Sequence, residues 1–316
     1  MNLFIFSFSM KKFLFKISLY IIGVLLIFGI LGSFADGNTD DNYMHFAVKK
    51  PQNIVLGDSR GAQAVLPELL SQKLGKEFDN FSLNVVQSPY GGIYYKALQR
   101  KLDPETKNGL FIVTVDPWNV SLDKNIKKES DFPEEHSPLK NMHFYDLSPN
   151  YEYLLKNYSR SWFKLYAERE AAGKSSTYLH KDGWMEVSVN MEKDSVAKRE
   201  TEKVNFYRDL AKKQHISPTR IKALQDIIAF LKSKGTVCLV RIPASEKIME
   251  IEKTYSPEFS ETMKHIALKH GIHFFDFSSK GNEYQYTDGN HMYKESGKVF
   301  TAQIADSILG KTKNLK

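Results

Sequence analysis

An apolar run, Ile54-Val55-Leu56, stops abruptly at Gly57-Asp58-Ser59-Arg60, and a helix-like stretch follows. A strand that passes through a tight turn into a helix is the first half of a β-α-β unit. From residue 53 onward the chain repeats this alternation. Residues 53–57 read as a first strand and 60–74 as its helix; 81–86 read as a second strand, followed by Gly91-Gly92 and a helix to about residue 101. Residues 110–115 (LFIVTV) are continuously apolar, as a strand buried on both faces must be. Residues 218–234 place Ile221, Leu224, Ile227, Ile228 and Leu231 on one helical face, started by Ser217-Pro218 and stopped by Gly235. A fourth strand over 236–242, a helix over 261–269, a fifth strand over 272–275 and an amphipathic helix over 296–309 complete the pattern. It predicts an α/β fold with a parallel sheet of about five strands and helices on both faces.

The first forty residues bear on the compartment. Residues 17–35 (ISLYIIGVLLIFGILGSFA) are almost wholly apolar and about long enough to cross a hydrocarbon core as a helix. Lys11, Lys12 and Lys16 precede them, and Asp36, Asp40 and Asp41 follow. The positive-inside tendency then keeps the N-terminus cytoplasmic and exports everything after Ala35, to the periplasm or the cell exterior. The stretch exceeds a usual signal core, which favours an uncleaved anchor over residues 1–35. Ser33 and Ala35 suit cleavage, so a signal peptide is the alternative. Residues 36–51 are polar and read as a short stalk.

The formal charge of +7 includes the three anchor lysines, so the exported part is only mildly basic. With no arginine-rich stripe, nucleic acid is not an expected partner. The single cysteine, Cys238, excludes an internal disulfide and sits in an apolar run as a small buried hydrophobe.

Between Pro117 and Gln214 the alternation stops. This stretch carries Trp118, Phe144, Tyr145, Tyr151, Tyr153, Tyr158, Trp162, Phe163 and Trp184, and a charged run over 192–203 that reads as a solvated face. It is too long for a plain loop. Residues 117–216 are therefore read as a cap or lid inserted after the third strand, between core segments 52–116 and 217–316. Its aromatics suit stacking on sugar rings; the plainer account is a small hydrophobic core of the insert's own.

The chemistry lies at the strand ends, where open α/β sheets hold their ligands. Ser59 follows the first strand and opens a helix, where free backbone N–H groups favour an oxyanion. Asp58 or Ser59 acting simply as a helix cap is the competing account. Asp288-Gly289-Asn290-His291 follows the fifth strand, and its carboxylate and imidazole, three residues apart, can meet within one turn. Together the two segments supply a hydroxyl, a carboxylate and an imidazole in the chain order Ser…Asp…His, the parts of a serine-nucleophile acyl-transfer site. The sequence is not G-x-S-x-G, so a nucleophile elbow is not indicated. No His/Cys cluster has metal-ligand spacing, and no cofactor is expected.

Residues 54–60, Gly91-Gly92 and the 288–291 quartet resemble the SGNH/GDSL hydrolase superfamily, and 293–309 is similar to that family's terminal helix. The anchored architecture is similar to envelope proteins that add or remove acyl groups on polysaccharides, including alginate O-acetylation proteins. The resemblance covers 52–116 and 217–309. It implies a flavodoxin-like three-layer fold, with Ser59 as nucleophile, His291 as base and Asp288 as its orienter. It also implies an oxyanion hole from the backbone N–H groups of Ser59 and of Gly91 or Gly92. The implied partners are an acylated polysaccharide or other acyl ester and the envelope machinery that assembles it. One departure stands out. The family's Gly-x-Asn-Asp motif after the third strand is here Val115-Asp116-Pro117-Trp118-Asn119. Asn119 lies later than the usual oxyanion donor and is a candidate substrate-binding residue. Arg60 and Arg241, at strand ends, are two more, suited to an acidic glycan or to supplying the missing positive charge; surface ion pairing is their plainer role.

Overall fold

The computed structural model describes residues 7–169 and 176–313. Five strands form one sheet: β1 (Asn53–Leu56), β2 (Phe78–Asn80), β3 (Gly109–Val115), β4 (Gly235–Arg241) and β5 (His273–Asp276). Their spatial order is β2-β1-β3-β4-β5, and every neighbouring pair is parallel. The chain leaves β1 towards β2, then crosses back to β3 and builds outward on the other side. That reversal opens a crevice beyond the carboxyl ends of β1 and β3.

The helices used below are α1 (Ser7–Gly32), α2 (Ser59–Ala64), α3 (Pro67–Leu74), α4 (Gly92–Lys101), α5 (Lys193–Lys213), α6 (Pro218–Lys232), α7 (Glu246–Tyr255), α8 (Phe259–His270) and α9 (Lys294–Lys313). Successive strand residues face opposite sides of the sheet. Ile54, Leu56, Phe111, Val113, Val237 and Leu239 pack with Tyr94 and Leu98 of α4, Leu224 and Ile227 of α6, and Met263 of α8. Val55, Ile112, Cys238 and Val240 pack on the other face with Leu70 of α3 and Phe300 and Ile304 of α9. Each such buried aliphatic or Phe side chain contributes about 1.5–3 kcal/mol. The α/β/α layering follows from strands that are apolar on both faces.

Several boundaries move from the sequence expectation. The helix after β1 is two helices, because Pro67 lacks an N–H and forces Leu66 into extended backbone (φ −92°, ψ 109°). The second strand is Phe78–Asn80 rather than 81–86. Asn80 pulls the chain off the ladder there: its Nδ2 donates to Gly61 O and Val65 O, both at 2.9 Å, while Oδ1 accepts from Ser82 N at 3.0 Å. Residues 36–51 are not a free stalk. Tyr43, Met44, His45 and Phe46 form a buried 3₁₀ turn, and Asn150 Nδ2 donates to Phe46 O at 2.8 Å. Their apolar surface has the core within reach and is covered by it.

The 117–216 insert is closed at its neck, where Ser121–Asp123 pairs antiparallel with Gln214–Ile216. Its described residues build no separate core. Leu139, Met142, Tyr145, Tyr153 and Leu154 join the same buried cluster as Ile54 and Phe111. Residues 170–175 of the insert lie outside the described residues. The charged run expected as a solvated face opens α5, which packs on α7.

Candidate active site

Ser59 stands at the first position of α2, directly beyond β1. The turn that places it depends on Gly57, since a Cβ there would overlap Thr114 Oγ1 on β3. Asp58 is the helix cap: its Oδ1 accepts from Arg60 N at 3.0 Å. Capping is thus done by Asp58, and the Ser59 hydroxyl is left for another partner. That partner is His291, whose Nε2 lies 2.8 Å from Ser59 Oγ.

His291 is held from its other side by Asp288. Nδ1 lies 2.9 Å from Asp288 Oδ2, while Asp288 Oδ1 accepts from His291 N at 2.8 Å and Asn290 N at 3.0 Å. A carboxylate can only accept, so Nδ1 carries the proton and Nε2 is free to accept from the serine hydroxyl. The turn is built around Gly289, at φ +82°, a left-handed conformation that favours glycine. It is anchored by Ser245 N donating to Gly289 O at 2.7 Å and Thr287 N donating to His291 O at 2.8 Å. Burial by itself would raise the Asp288 carboxyl. The hydrogen bonds and charge of His291, helped by Lys203, instead hold it well below the usual carboxylate range. Asp288 is therefore ionised wherever the site works.

Behind this surface chain lies a buried polar network that the sequence did not reveal. Asp116, at the end of β3, adjoins Asp58. Burial first, and then the charge and hydrogen bonding of Asp116, push the Asp58 carboxyl well above its ordinary value, with Arg60 opposing. Asp58 therefore holds its proton to a higher pH than an ordinary aspartate does. Arg60 Nε donates to Asn290 Oδ1 at 2.9 Å and its Nη2 to Glu252 Oε1 at 2.5 Å. Glu252, fully buried on α7, also accepts from Trp118 Nε1 at 2.9 Å and from Arg241 Nη2 at 3.3 Å.

This network corrects the expectations for three candidate residues. Arg60 and Arg241 are buried, 1% and 7% exposed, and both turn inward onto Glu252 instead of facing a ligand at the rim. A guanidinium at a strand end finds a buried carboxylate before it finds solvent. Asn119 is wholly buried, and its amide closes on the backbone of Asp116, donating to the carbonyl at 2.8 Å and accepting from the N–H at 3.3 Å. It is not a substrate residue. Gly91 is buried where a Cβ would press on Arg220 and Glu134, and Gly92 is the open first residue of α4.

The insert reaches the site through α5. Lys203 Nζ lies 3.3 Å from Asp288 Oδ2, and Arg199 Nε donates to Thr287 O at 2.7 Å. Arg199, Glu202, Lys203 and Phe206 wall a shallow open pocket of about 340 Å³ with Asp288 at its edge. A cavity of about 1200 Å³ lies at the other end of the sheet, against Asn53, Phe78 and Gly109 at the starts of β1, β2 and β3. It contains none of the triad residues, and the carboxyl-end crevice is the chemically equipped one.

No protein-family profile matches the chain, and no curated protein matches it. Solved structures with a remote likeness include a lipase/acylhydrolase from Enterococcus faecalis, at 14% identity and TM-score 0.41 over 82% of this chain and 96% of that one. An inhibitor-bound aryl esterase from M. smegmatis has 11% identity and TM-score 0.38 over 82% and 99%. A carbohydrate acetylesterase from Sinorhizobium meliloti has 12% identity and TM-score 0.37 over 82% and 99%. At this distance, what the site does rests on its own geometry.

Proposed function

We propose that the chain is a membrane-anchored serine esterase or O-acyltransferase acting on an acylated surface or extracellular polysaccharide. The hydrogen-bonded chain Ser59 Oγ, His291 Nε2, His291 Nδ1, Asp288 Oδ2 carries this reading. As Ser59 Oγ attacks the acyl carbonyl, its proton passes to His291 Nε2, and Asp288 stabilises the imidazolium. The developing oxyanion is received by the Ser59 N–H, which has no intrahelical acceptor at the first position of α2. The resemblance adds the backbone of Gly91 or Gly92. His291 then protonates the departing sugar oxygen, leaving an acyl-serine. Water or a second sugar hydroxyl, deprotonated by His291, takes the acyl group and restores the serine. Esterase and transferase differ only in that last acceptor.

The glycan assignment and the link to envelope assembly rest on the resemblance to envelope acyl-transfer proteins. Export rests on the apolar helix Met10–Gly32 and the lysines near its start. A second reading draws on one observation: the Asp116-to-Asn119 turn is spent on its own backbone and supplies no side-chain donor to an oxyanion. On that reading the chain is a catalytically silent glycan-binding or scaffold module. A fluorophosphonate probe and a small acetyl ester separate the two. The enzyme reading expects labelling at Ser59, and Ser59→Ala should abolish labelling and turnover while the melting temperature holds, because Asp58 keeps the cap. Absence of both labelling and acyl transfer by the wild type, with full complementation of a deletion strain by Ser59→Ala, establishes the module instead.

A further inference from the structure

The last turns of α1 are packed against the insert. Phe28 meets Trp162 edge-on with ring centroids 4.6 Å apart, and Tyr151 Oη donates to Gly29 O at 2.6 Å. Gly32 leaves room for Tyr151, whose ring a Cβ there would strike, and Phe34 packs on Tyr166 at 5.1 Å just past the helix. The apolar span is Met10–Gly32. At about 1.5 Å per residue, Phe28 lies roughly 6 Å inside its end. Whatever touches Phe28 and Gly29 therefore sits at the depth where a bilayer's hydrocarbon gives way to headgroups.

From that line of contact the insert continues as exposed apolar surface. Leu155, one turn from Tyr151 on the short helix Tyr151–Lys156, is 73% exposed, and Phe163, beside Trp162, is 61% exposed. Phe144, also exposed, is tied to the same helix by its N–H donating to Glu152 Oε2 at 2.9 Å. Large apolar side chains left exposed beside a span mark an interaction site, and Trp and Tyr are the side chains enriched at membrane interfaces. Of the neighbouring charges, Lys156 pairs with Glu152 at 2.6 Å and Arg160 and Lys164 share Glu168, while the Arg169 guanidinium stacks on the Tyr166 ring at 3.9 Å. The face therefore offers apolar contact with a small positive excess at its edge, as suits a headgroup layer.

We propose that this face of the insert, formed by Phe144, Tyr151, Leu155, Trp162, Phe163 and Tyr166, lies in the interface of the bilayer that α1 crosses. The insert is then a platform seated on lipid, and through its closed neck and α5 it sets the attitude of the catalytic crevice to the membrane. The proposal rests on the reading of α1 as an uncleaved span, and its test separates the two.

The full chain is reconstituted into nanodiscs containing only phosphatidylcholine, with spin labels on Leu155→Cys and Phe163→Cys. Gly23→Cys serves as the reference within the span. Val299→Cys, exposed on α9 across the sheet, serves as the water reference. Cys238 is buried and its thiol is pushed up to about 12, so it stays unlabelled. The expected result is an oxygen-to-nickel accessibility at 155 and 163 that lies between the deep-span value at 23 and the aqueous value at 299. Accessibility at 155 and 163 equal to that at 299, with 23 in lipid, overturns the platform, leaves the anchor standing and gives the face to a protein partner. An aqueous label at 23 overturns the anchor reading and the platform with it.

Discussion

Arg60 Nε donates to Asn290 Oδ1 at 2.9 Å, joining the residue after Ser59 to the residue before His291 across 230 positions of sequence. Both partners are buried, so the bond is shielded from competing water. It fixes the separation of Ser59 and His291, the proposed nucleophile and base, from behind the surface. Asn290→Ala should lower kcat about 10–100-fold, the scale of a misplacement near 1 Å, with KM for a small acetyl ester little changed. An equal loss in KM and kcat would place Asn290 in the substrate site instead.

Glu252 is the counter-charge for two buried guanidiniums, so neutralising it leaves both unpaired. Glu252→Gln should cost about 3–5 kcal/mol, a fall of roughly 6–20 °C in melting temperature for a domain this size. Arg60→Lys should not substitute, because one ammonium cannot reproduce a planar fork that bonds Asn290 and Glu252 at once. Thermal unfolding followed by circular dichroism reads both. A melting temperature unchanged in Glu252→Gln would mean that the network contributes no stability.

These two predictions concern residues that the sequence placed wrongly or not at all. Ser59 was legible because it lies in a short turn-forming segment just after an apolar run, and Asp288 with His291 because they fall three residues apart in one turn-forming quartet, where neighbours in sequence are neighbours in space. Glu252 sits in the local string Glu250-Ile251-Glu252-Lys253, which reads as a solvated helix face. Its burial is created by Arg60 and Trp118, brought from distant parts of the chain, and by Arg241 at the end of the preceding strand. The same holds for Asp58 and Asp116, one at the end of β1 and the other at the end of β3. Strand β3 was legible from its apolar continuity; β2 was misplaced because Asn80, a polar residue at a strand end, ends the ladder through bonds to α2 and the residue after it. Direction was the harder quantity: the residue type at positions 60 and 241 was visible, but not which way each guanidinium turns.

Lys203 tests whether the insert tunes the triad. Its ion pair with Asp288 is about a third exposed on the lysine side, so solvent screens it and about 0.2–1 kcal/mol is the expected scale. Lys203→Ala should lower kcat/KM about 2–5-fold, and raising the salt concentration should shrink the difference. Rates on a small acetyl ester at low and high salt read this. A loss approaching that of Asp288→Asn would make Lys203 part of the chemistry.

Asp58 is the sharpest test of roles, because it sits next to the nucleophile and yet belongs to the buried pair rather than the triad. Its carboxyl is raised in the folded protein, so above the unfolded value near 3.8 the unfolded chain ionises first. Its contribution to stability is present below that pH and is lost progressively as pH rises through the folded value. Asp58→Asn copies the protonated acid: Oδ1 still accepts from Arg60 N, and Nδ2 donates to Asp116. The variant's melting temperature should therefore gain on the wild type as pH rises from 4 towards the folded value and then level off, in line with the roughly 1.4 kcal/mol carried by each unit of differential titration. Activity should survive within about tenfold, whereas Asp288→Asn, which favours the wrong imidazole tautomer, should lose about 10⁴-fold in kcat. Melting curves across pH and a single ester assay decide it. If Asp58→Asn instead loses as much activity as Asp288→Asn and shows no relative gain with pH, Asp58 is charged in the folded protein and acts directly on the reaction.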